Sequence, residues 1–346
     1  MTKLVQLIPP TTVSCGVKDY AKRLATTWYG EIDALTHVYS VGAQTARVVA
    51  SLPIFTQNER SPAVILHYSG YGYARRGAPV WLVRFVQRFR KQHANIPWLT
   101  MFHEVAASGP VHTSAFWTRP LQLWVAQRLR QLSDRVFTNC TMNADILCEA
   151  SPKEKGGIGI VPVFSNFGEP TSHVPVNDRH SQLVIFTSNF GGRNPPPEFW
   201  QRVAQTVDLH HVERVLLIGR PVSLLLEVPF PVQQTGFLET EQVSELLSQS
   251  RFGYAFFGPQ LLGKSGIFAA FAAHGVIPLV PVSDVTLPDG LIAGLHFLRP
   301  CDDSNALDLE TVQSGLLQWY RQHDLTTTAA DFMIVADRLR NNSCLH

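Results

Sequence analysis

Residues 258–265 read Gly258-Pro259-Gln260-Leu261-Leu262-Gly263-Lys264-Ser265, a literal G-x-x-x-x-G-K-S. The string falls between a predicted strand (252–257) and a predicted helix (265–273). Backbone N–H groups at a helix start attract phosphate, and a lysine beside them adds a full charge. Phosphate binding is therefore the first chemistry this chain offers. A P-loop NTPase or kinase is one reading of it. Only 81 residues follow Ser265, few for the nucleotide domain usually built onto such a loop. Asp284, the candidate magnesium partner, follows the proline-interrupted Val280-Pro281-Val282-Ser283. A glycine turn that merely feeds a helix is a further reading, and phosphate binding in a different fold is the third. Gly70-Tyr71-Gly72 invites a dinucleotide fingerprint, but the next glycine is Gly77 and no acidic residue follows at the required spacing. Tyr68, Tyr71 and Tyr73 read instead as a mobile loop.

A second kind of chemistry lies in charge. From Arg75 to Lys91 there are six cations (Arg75, Arg76, Arg84, Arg88, Arg90 and Lys91) and no carboxylate. Leu82, Phe85, Val86 and Phe89 share one helix face, and Arg84, Arg88 and Lys91 share another. This suggests a core-facing helix whose basic side meets solvent, an anionic lipid surface or an acidic acceptor. No nucleic-acid recognition motif accompanies the charge, so nucleic acid is not expected as a partner. The bias extends to the whole chain. Residues 1–175 carry 18 basic and 10 acidic side chains, residues 176–346 carry 11 and 17, and the net charge is +2.

The elements that position these groups follow from apolar patterning. Short apolar runs alternate with amphipathic stretches, the pattern of α/β units on parallel sheets. Strands are predicted at 3–8, 34–40, 63–68, 97–102, 135–139 and 158–163, with helices near 18–28, 79–92, 119–132 and 141–149. Residues 163–182 read as a linker. The pattern then restarts, with strands at 183–187, 214–218, 252–257 and 276–280 and helices at 196–207, 240–250 and 265–273. The chain of 346 residues, 45% hydrophobic and 16% charged, suffices for two such domains and excludes general disorder. Five cysteines without a C-x-x-C pair imply neither a zinc site nor a disulfide framework. The N-terminus lacks a signal-peptide core and no apolar stretch reaches membrane length, so a soluble, cytoplasmic protein is expected.

Taken in order, several segments resemble glycosyltransferases of the family 4 or "group 1" superfamily. Ser14-Cys15-Gly16-Val17-Lys18-Asp19-Tyr20-Ala21 resembles the N-terminal glycine loop and its helix. Met101-Phe102-His103-Glu104 resembles the strand end whose histidine faces the donor sugar. Residues 214–219, Gly236-Phe237-Leu238 and residues 243–247 resemble the family's strand, turn and helix. Ala272-Ala273-His274-Gly275-Val276-Ile277-Pro278-Leu279-Val280 resembles its closing segment. The resemblance implies an α/β fold of two facing Rossmann-like domains (the GT-B architecture) with an interdomain cleft. The expected division is a basic, acceptor-side domain at 1–175 and a donor-side domain at 176–322. A helix and tail at 323–346 would cross back to the first.

The resemblance further implies metal-independent, retaining transfer of a hexose from a nucleoside-diphosphate sugar. The acceptor, a glycan, a lipid-linked molecule or a small molecule, is left open. Its catalytic residues would be His103, Arg193 and Lys264. Gly16, Asn189, Gly191, Gly192, Arg193, Lys264, Ser265 and Gly266 would hold the donor phosphates, and Phe237 and Leu238 would flank the nucleobase. Asp19, Tyr68, Tyr71 and Glu104 would lie on the acceptor side. The sequence departs from the family where two glutamates are usual. Those positions are Leu262 and Ala270, which leaves a catalytically inactive glycan- or partner-binding module as the main alternative to an enzyme. Peripheral association with a membrane is compatible with both.

Overall fold

A computed structural model describes residues 3–10, 16–32, 34–56, 62–107, 109–110, 112–149, 157–190, 193–223 and 228–343. The chain divides into two compact units, 1–162 with 325–346, and 163–324.

Unit 1 holds β1 (Lys3–Ile8), α1 (Gly16–Gly30), β2 (Leu35–Ser40), α2 (Ala46–Ala50), α3 (Pro53–Thr56) and β3 (Ala63–Tyr68). It continues through α4 (Gly70–Tyr73), α5 (Val80–Gln92), β4 (Trp98–Phe102), α6 (Ser114–Gln131), β5 (Arg135–Thr138), α7 (Thr141–Glu149) and β6 (Gly159–Ile160). Its six strands order as β2-β1-β3-β4-β5-β6 and all pair in parallel. The inner strands are buried on both faces, as parallel strands covered by helices must be. On one face Val5, Leu7, Val64 and Leu66 pack with Leu82, Phe85 and Phe89 of α5. The opposite face meets α1.

Unit 2 holds β7 (His180–Phe186), α8 (Pro197–Leu209), β8 (Arg214–Ile218), β9 (Val232–Gly236), α9 (Thr240–Gln249) and β10 (Ser250–Tyr254). Then come α10 (Gly266–His274), β11 (Ile277–Leu279), the small hairpin β12 (Thr286–Leu287) and β13 (Leu291–Ile292), and α11 (Leu309–Arg321). The main sheet is parallel, ordered β11-β10-β7-β8-β9. Helix α10 is apolar nearly all round and buried from Phe268 to His274. It stops at Gly275, whose φ of +63° is the left-handed conformation a helix end commonly needs.

Helix α12 (Leu325–Ser343) belongs to unit 1. The Trp28 indole N–H donates to the Ala329 carbonyl at 2.8 Å. The Phe332 ring lies 4.7 Å from Phe137 and edge-on to Trp28.

The stretch 163–182 is more than a linker. Val163 N–H donates to Gly263 O at 2.8 Å, and Ser165 N–H donates to the Tyr320 hydroxyl at 2.7 Å. Phe167 stacks on Phe186 at 5.4 Å. These bonds satisfy backbone groups that an irregular segment would otherwise leave unpaired.

Candidate functional site

In unit 1 a polar line crosses three adjacent strands at the carboxyl side of the sheet. Gln6 Nε2 donates to the Ala21 carbonyl at 2.8 Å, which turns its Oε1 toward His67 Nε2 at 2.7 Å. An amide oxygen only accepts, so His67 Nε2 carries the proton. Burial first, and the neighbouring His103 second, hold the His67 pKa well below its ordinary value. His67 is therefore neutral, with a bare Nδ1. His103 Nε2, 3.2 Å from that atom, must donate to it.

His103 is only 7% exposed, and its backbone is fixed as firmly as its ring. Its N–H donates to Tyr68 O at 2.9 Å, and its carbonyl accepts from the Asn139 amide at 3.2 Å. The Tyr20 ring meets it edge-on at 5.0 Å. Parallel sheets bind ligands at the carboxyl ends of their strands, and His103 sits one residue past β4.

The tyrosine segment is not a mobile loop. Tyr68 is fully buried at the end of β3, stacked on Tyr73 and edge-on to Phe102. It faces the core because it alternates in phase with Val64 and Leu66, so it offers nothing to an acceptor. Residues 70–73 form the turn α4, and the Tyr73 hydroxyl donates to His67 O at 3.1 Å. A Cβ at Gly70 would collide with the Gly77 carbonyl, and one at Gly72 would lie 2.8 Å from Pro9. These glycines are small because the backbone packs tightly there. Tyr71 remains half exposed, and Glu104 is exposed and accepts from the Ser69 hydroxyl at 3.0 Å. Gly16 opens α1 with open space around it, and Asp19 is half-buried in the first turn.

In unit 2 the G-x-x-x-x-G-K-S string forms a 3₁₀ segment, Pro259–Lys264, leading into α10. Neither Gly258 nor Gly263 takes a positive φ. The alternating backbone that makes a P-loop cradle is therefore missing from this string. Ser265 caps α10, its Oγ accepting from Phe268 N–H at 3.2 Å. Its own N–H is occupied by Leu262 O at 3.0 Å, so it is unavailable to phosphate. Gly266 and Ile267 occupy the first two helix positions, where the N–H groups have no partner within the helix. Lys264 is half-buried and makes no hydrogen bond or ion pair. The Asn166 amide lies over the helix start, 3.3 Å from where a Gly266 Cβ would stand.

Arg193 is exposed and without an ion pair, in the connection after β7, the strand next to β10. Gly191, Gly192 and the Asn189 side chain lie outside the described residues, as do Ser14 and Cys15. After β9, Gly236 turns the chain at φ +73° and presents Phe237 at 82% exposure, with Leu238 half-buried. Leu262 and Ala270 are both buried. His274, within the matched closing segment, has a structural role. Its Nδ1 donates to Ala270 O at 2.8 Å and its Nε2 accepts from Ser244 Oγ at 2.8 Å, and burial lowers its pKa to about 4.

Among the described residues no three His, Cys, Asp or Glu side chains gather as a metal site, and no helix is long and apolar enough to cross a membrane.

No protein-family model and no curated protein matches the chain in sequence. Solved structures do match in shape. One is an α-glucosyltransferase in complex with UDP and a 13-mer DNA containing an HMU base, at TM-score 0.57 and 12% identity over 96% of this chain and 98% of that one. Another is the lipopolysaccharide outer core galactosyltransferase WaaB in its apo form, at TM-score 0.56 and 12% identity over 97% and 100%. A third, from Listeria monocytogenes, is assigned to the UDP-N-acetylglucosamine 2-epimerases, at TM-score 0.54 and 13% identity over 97% and 95%. The likeness is one of fold. The chain has the α/β fold of two Rossmann-like domains that defines the GT-B class.

Proposed function

We propose that the chain is a glycosyltransferase that moves a sugar from a nucleoside-diphosphate sugar to an acceptor hydroxyl. The observation that carries this reading is the carboxyl edge of the second sheet. Lys264, a half-buried cation with no partner, adjoins a helix start whose first N–H groups are free of helix bonds. Arg193 stands unpaired beyond the adjacent strand. Together these groups suit a diphosphate. When the bond from the anomeric carbon to the diphosphate oxygen breaks, negative charge grows on the leaving group. Lys264, Arg193 and the Gly266 N–H oppose it where it grows. Phe237 offers a ring face to the nucleobase. In unit 1, His103, one residue past β4, would hydrogen-bond the donor sugar, or act as the base if transfer inverts. Retention of configuration and independence from metal remain part of the proposal. So do the roles of Asn189, Gly191 and Gly192 beside the phosphates, of Leu238 at the base, and of Gly16, Asp19, Tyr71 and Glu104.

Calorimetry with UDP-, GDP-, ADP- and dTDP-sugars, followed by product analysis with an acceptor panel, tests this reading. Saturable binding with transfer of the sugar supports it. Release of an epimerised sugar nucleotide would reassign the chain to epimerase chemistry. Binding with no turnover would favour an inactive module, a reading supported by Leu262 and Ala270, apolar and buried where the family resemblance places glutamates.

An anionic membrane surface is part of the same proposal, as the source of an amphiphilic acceptor. Trp117, Leu121 and Trp124 project from one face of α6, and Trp117 is 73% exposed. Between Gly70 and Ser133 the sequence carries nine cations and one carboxylate, Glu104. Aromatic side chains beside cations suit the headgroup region of an acidic bilayer. Flotation with phosphatidylglycerol vesicles, set against phosphatidylcholine alone, checks it. Equal flotation with both would remove this partner.

A further inference from the structure

The basic face of α5 does not simply meet solvent. A cavity of about 500 Å³ opens beside it, lined by Arg47 of α2 and by Trp81, Arg84, Phe85, Arg88 and Gln92 of α5. Ala43, Ala46 and Ala50 complete the α2 side, and their short side chains leave the space open. Among the described residues, no carboxylate lines it. Among the described residues, none of the three arginines has a side-chain hydrogen bond or an ion pair. Three guanidinium groups around one cavity repel each other, and a bound anion would relieve that repulsion. Guanidinium forks bind phosphate oxygens in pairs, more selectively than a lysine does. Trp81 supplies a broad apolar wall, against which the body of an ester can lie.

We propose that this cavity is a second anion site, specific for a phosphate ester or diphosphate and separate from the one around Lys264. It is also separate from His103. Val5, Leu7, Val64 and Leu66 point from the sheet toward α5, whereas Gln6, in the same strand as Val5, faces α1 and leads through His67 to His103. The sheet itself therefore stands between the cavity and the histidine line. A ligand held there is anchored by the protein and does not meet His103. The anion can come from a lipid headgroup or from a soluble phosphate ester, since both present the same group. The proposal does not rest on the glycosyltransferase reading.

The probe is inorganic pyrophosphate, titrated calorimetrically into the full chain in chloride buffer of matched ionic strength. The parent is expected to show two classes of site. The triple variant Arg47→Gln, Arg84→Gln, Arg88→Gln should lose one class, at least tenfold in affinity, and keep the class that Lys264→Ala removes. All three arginines are solvent-facing, and an unchanged unfolding midpoint would show that the variant is folded. If the triple variant binds pyrophosphate as the parent does, or if Lys264→Ala alone abolishes all binding, the second site does not exist. A parent that shows only the arginine-dependent class, unaffected by Lys264→Ala, would count against the donor site and leave this one standing. Vesicle flotation separates the two sources. Release of the parent from phosphatidylglycerol vesicles by pyrophosphate, with no flotation of the triple variant, identifies a headgroup. Flotation indifferent to both, alongside calorimetric binding, identifies a soluble ester.

Discussion

The carboxyl edge of the first sheet and that of the second handle polar groups in opposite ways. At the first, His103 is held on every side: its ring by His67, its N–H by Tyr68, its carbonyl by Asn139. At the second, Lys264 and Arg193 have no partner at all, and Phe237 stands out in solvent. A buried polar line that is fully bonded is rigid and needs no ligand to be stable. Unpaired cations beside a helix start gain their partner only from a ligand. The first edge is built to hold one ring in one orientation; the second is built to receive charge.

The largest effect expected is on stability, and it tests whether buried histidines serve structure in unit 2 as they serve orientation in unit 1. His274 is pushed to about 4 by burial, with His173 and Arg179 acting in the same direction and the Ala270 bond against it. The unfolded chain takes up a proton near pH 6.5 while the folded protein refuses it. Stability from this group is thus full above about 6.5 and drains as the pH falls toward 4. The interval corresponds to roughly 3 kcal/mol. His323, lowered to about 4 mainly by burial, adds in the same window. Urea midpoints measured from pH 7 to 4 should fall, and His274→Gln should flatten the curve. A parent midpoint independent of pH over this range would refute the assignment.

Next in size is His103→Ala. A positioned acid or base contributes on the order of a hundredfold or more to turnover. The variant should lose that much in transfer rate while binding free nucleoside diphosphate as the parent does. Lys264→Ala should do the reverse in kind. Loss of a charge-assisted contact, about 1.5–3 kcal/mol, weakens both the nucleotide sugar and the free diphosphate roughly ten- to a hundredfold. If calorimetry finds the two variants alike, the contrast between an orienting edge and a charge-receiving edge fails.

How much of this was legible beforehand differs between the edges for a physical reason. The Lys264 segment is local: a glycine-rich string between a strand and a helix is readable from spacing, and so was its place in the chain. What spacing did not reveal is that Pro259–Lys264 would wind into a 3₁₀ segment and that Ser265 N–H would be taken by Leu262. The partners of His103 are non-local. Gln6 and His67 sit inside the apolar runs KLVQLI and AVILHY, and they meet only because β1 lies between β2 and β3. Polar residues within otherwise apolar buried strands were the available signal, since such groups persist only when bonded. Tyr68 reads as part of a loop from the glycines and tyrosines around it, although its strand phase, shared with Val64 and Leu66, points it inward. Asn166 could not be found from sequence. It belongs to a stretch that reads as a linker and is ordered by bonds to residues about 100 and 155 positions away.

Phe237 carries the smallest expected effect and the sharpest test of the second edge as a receiving surface. A phenylalanine 82% exposed just past a strand gains little from the folded chain, so its removal should leave stability nearly unchanged. Its ring is positioned all the same. Gly236 turns at φ +73°, and the next helix is anchored by a capping box between Glu239 and Gln242. If the ring stacks on the nucleobase, Phe237→Ala should weaken nucleoside-diphosphate binding by about 1 kcal/mol, roughly fivefold. Inorganic pyrophosphate has no base, so its binding should not change. That split separates a stacking contact from a general disturbance of the phosphate site, which would weaken both ligands together. Phe237→Tyr should restore the nucleotide affinity, because only the aromatic face is needed. Equal loss for pyrophosphate and nucleotide, or no loss for either, would remove Phe237 from the site and leave the second edge selective for charge alone.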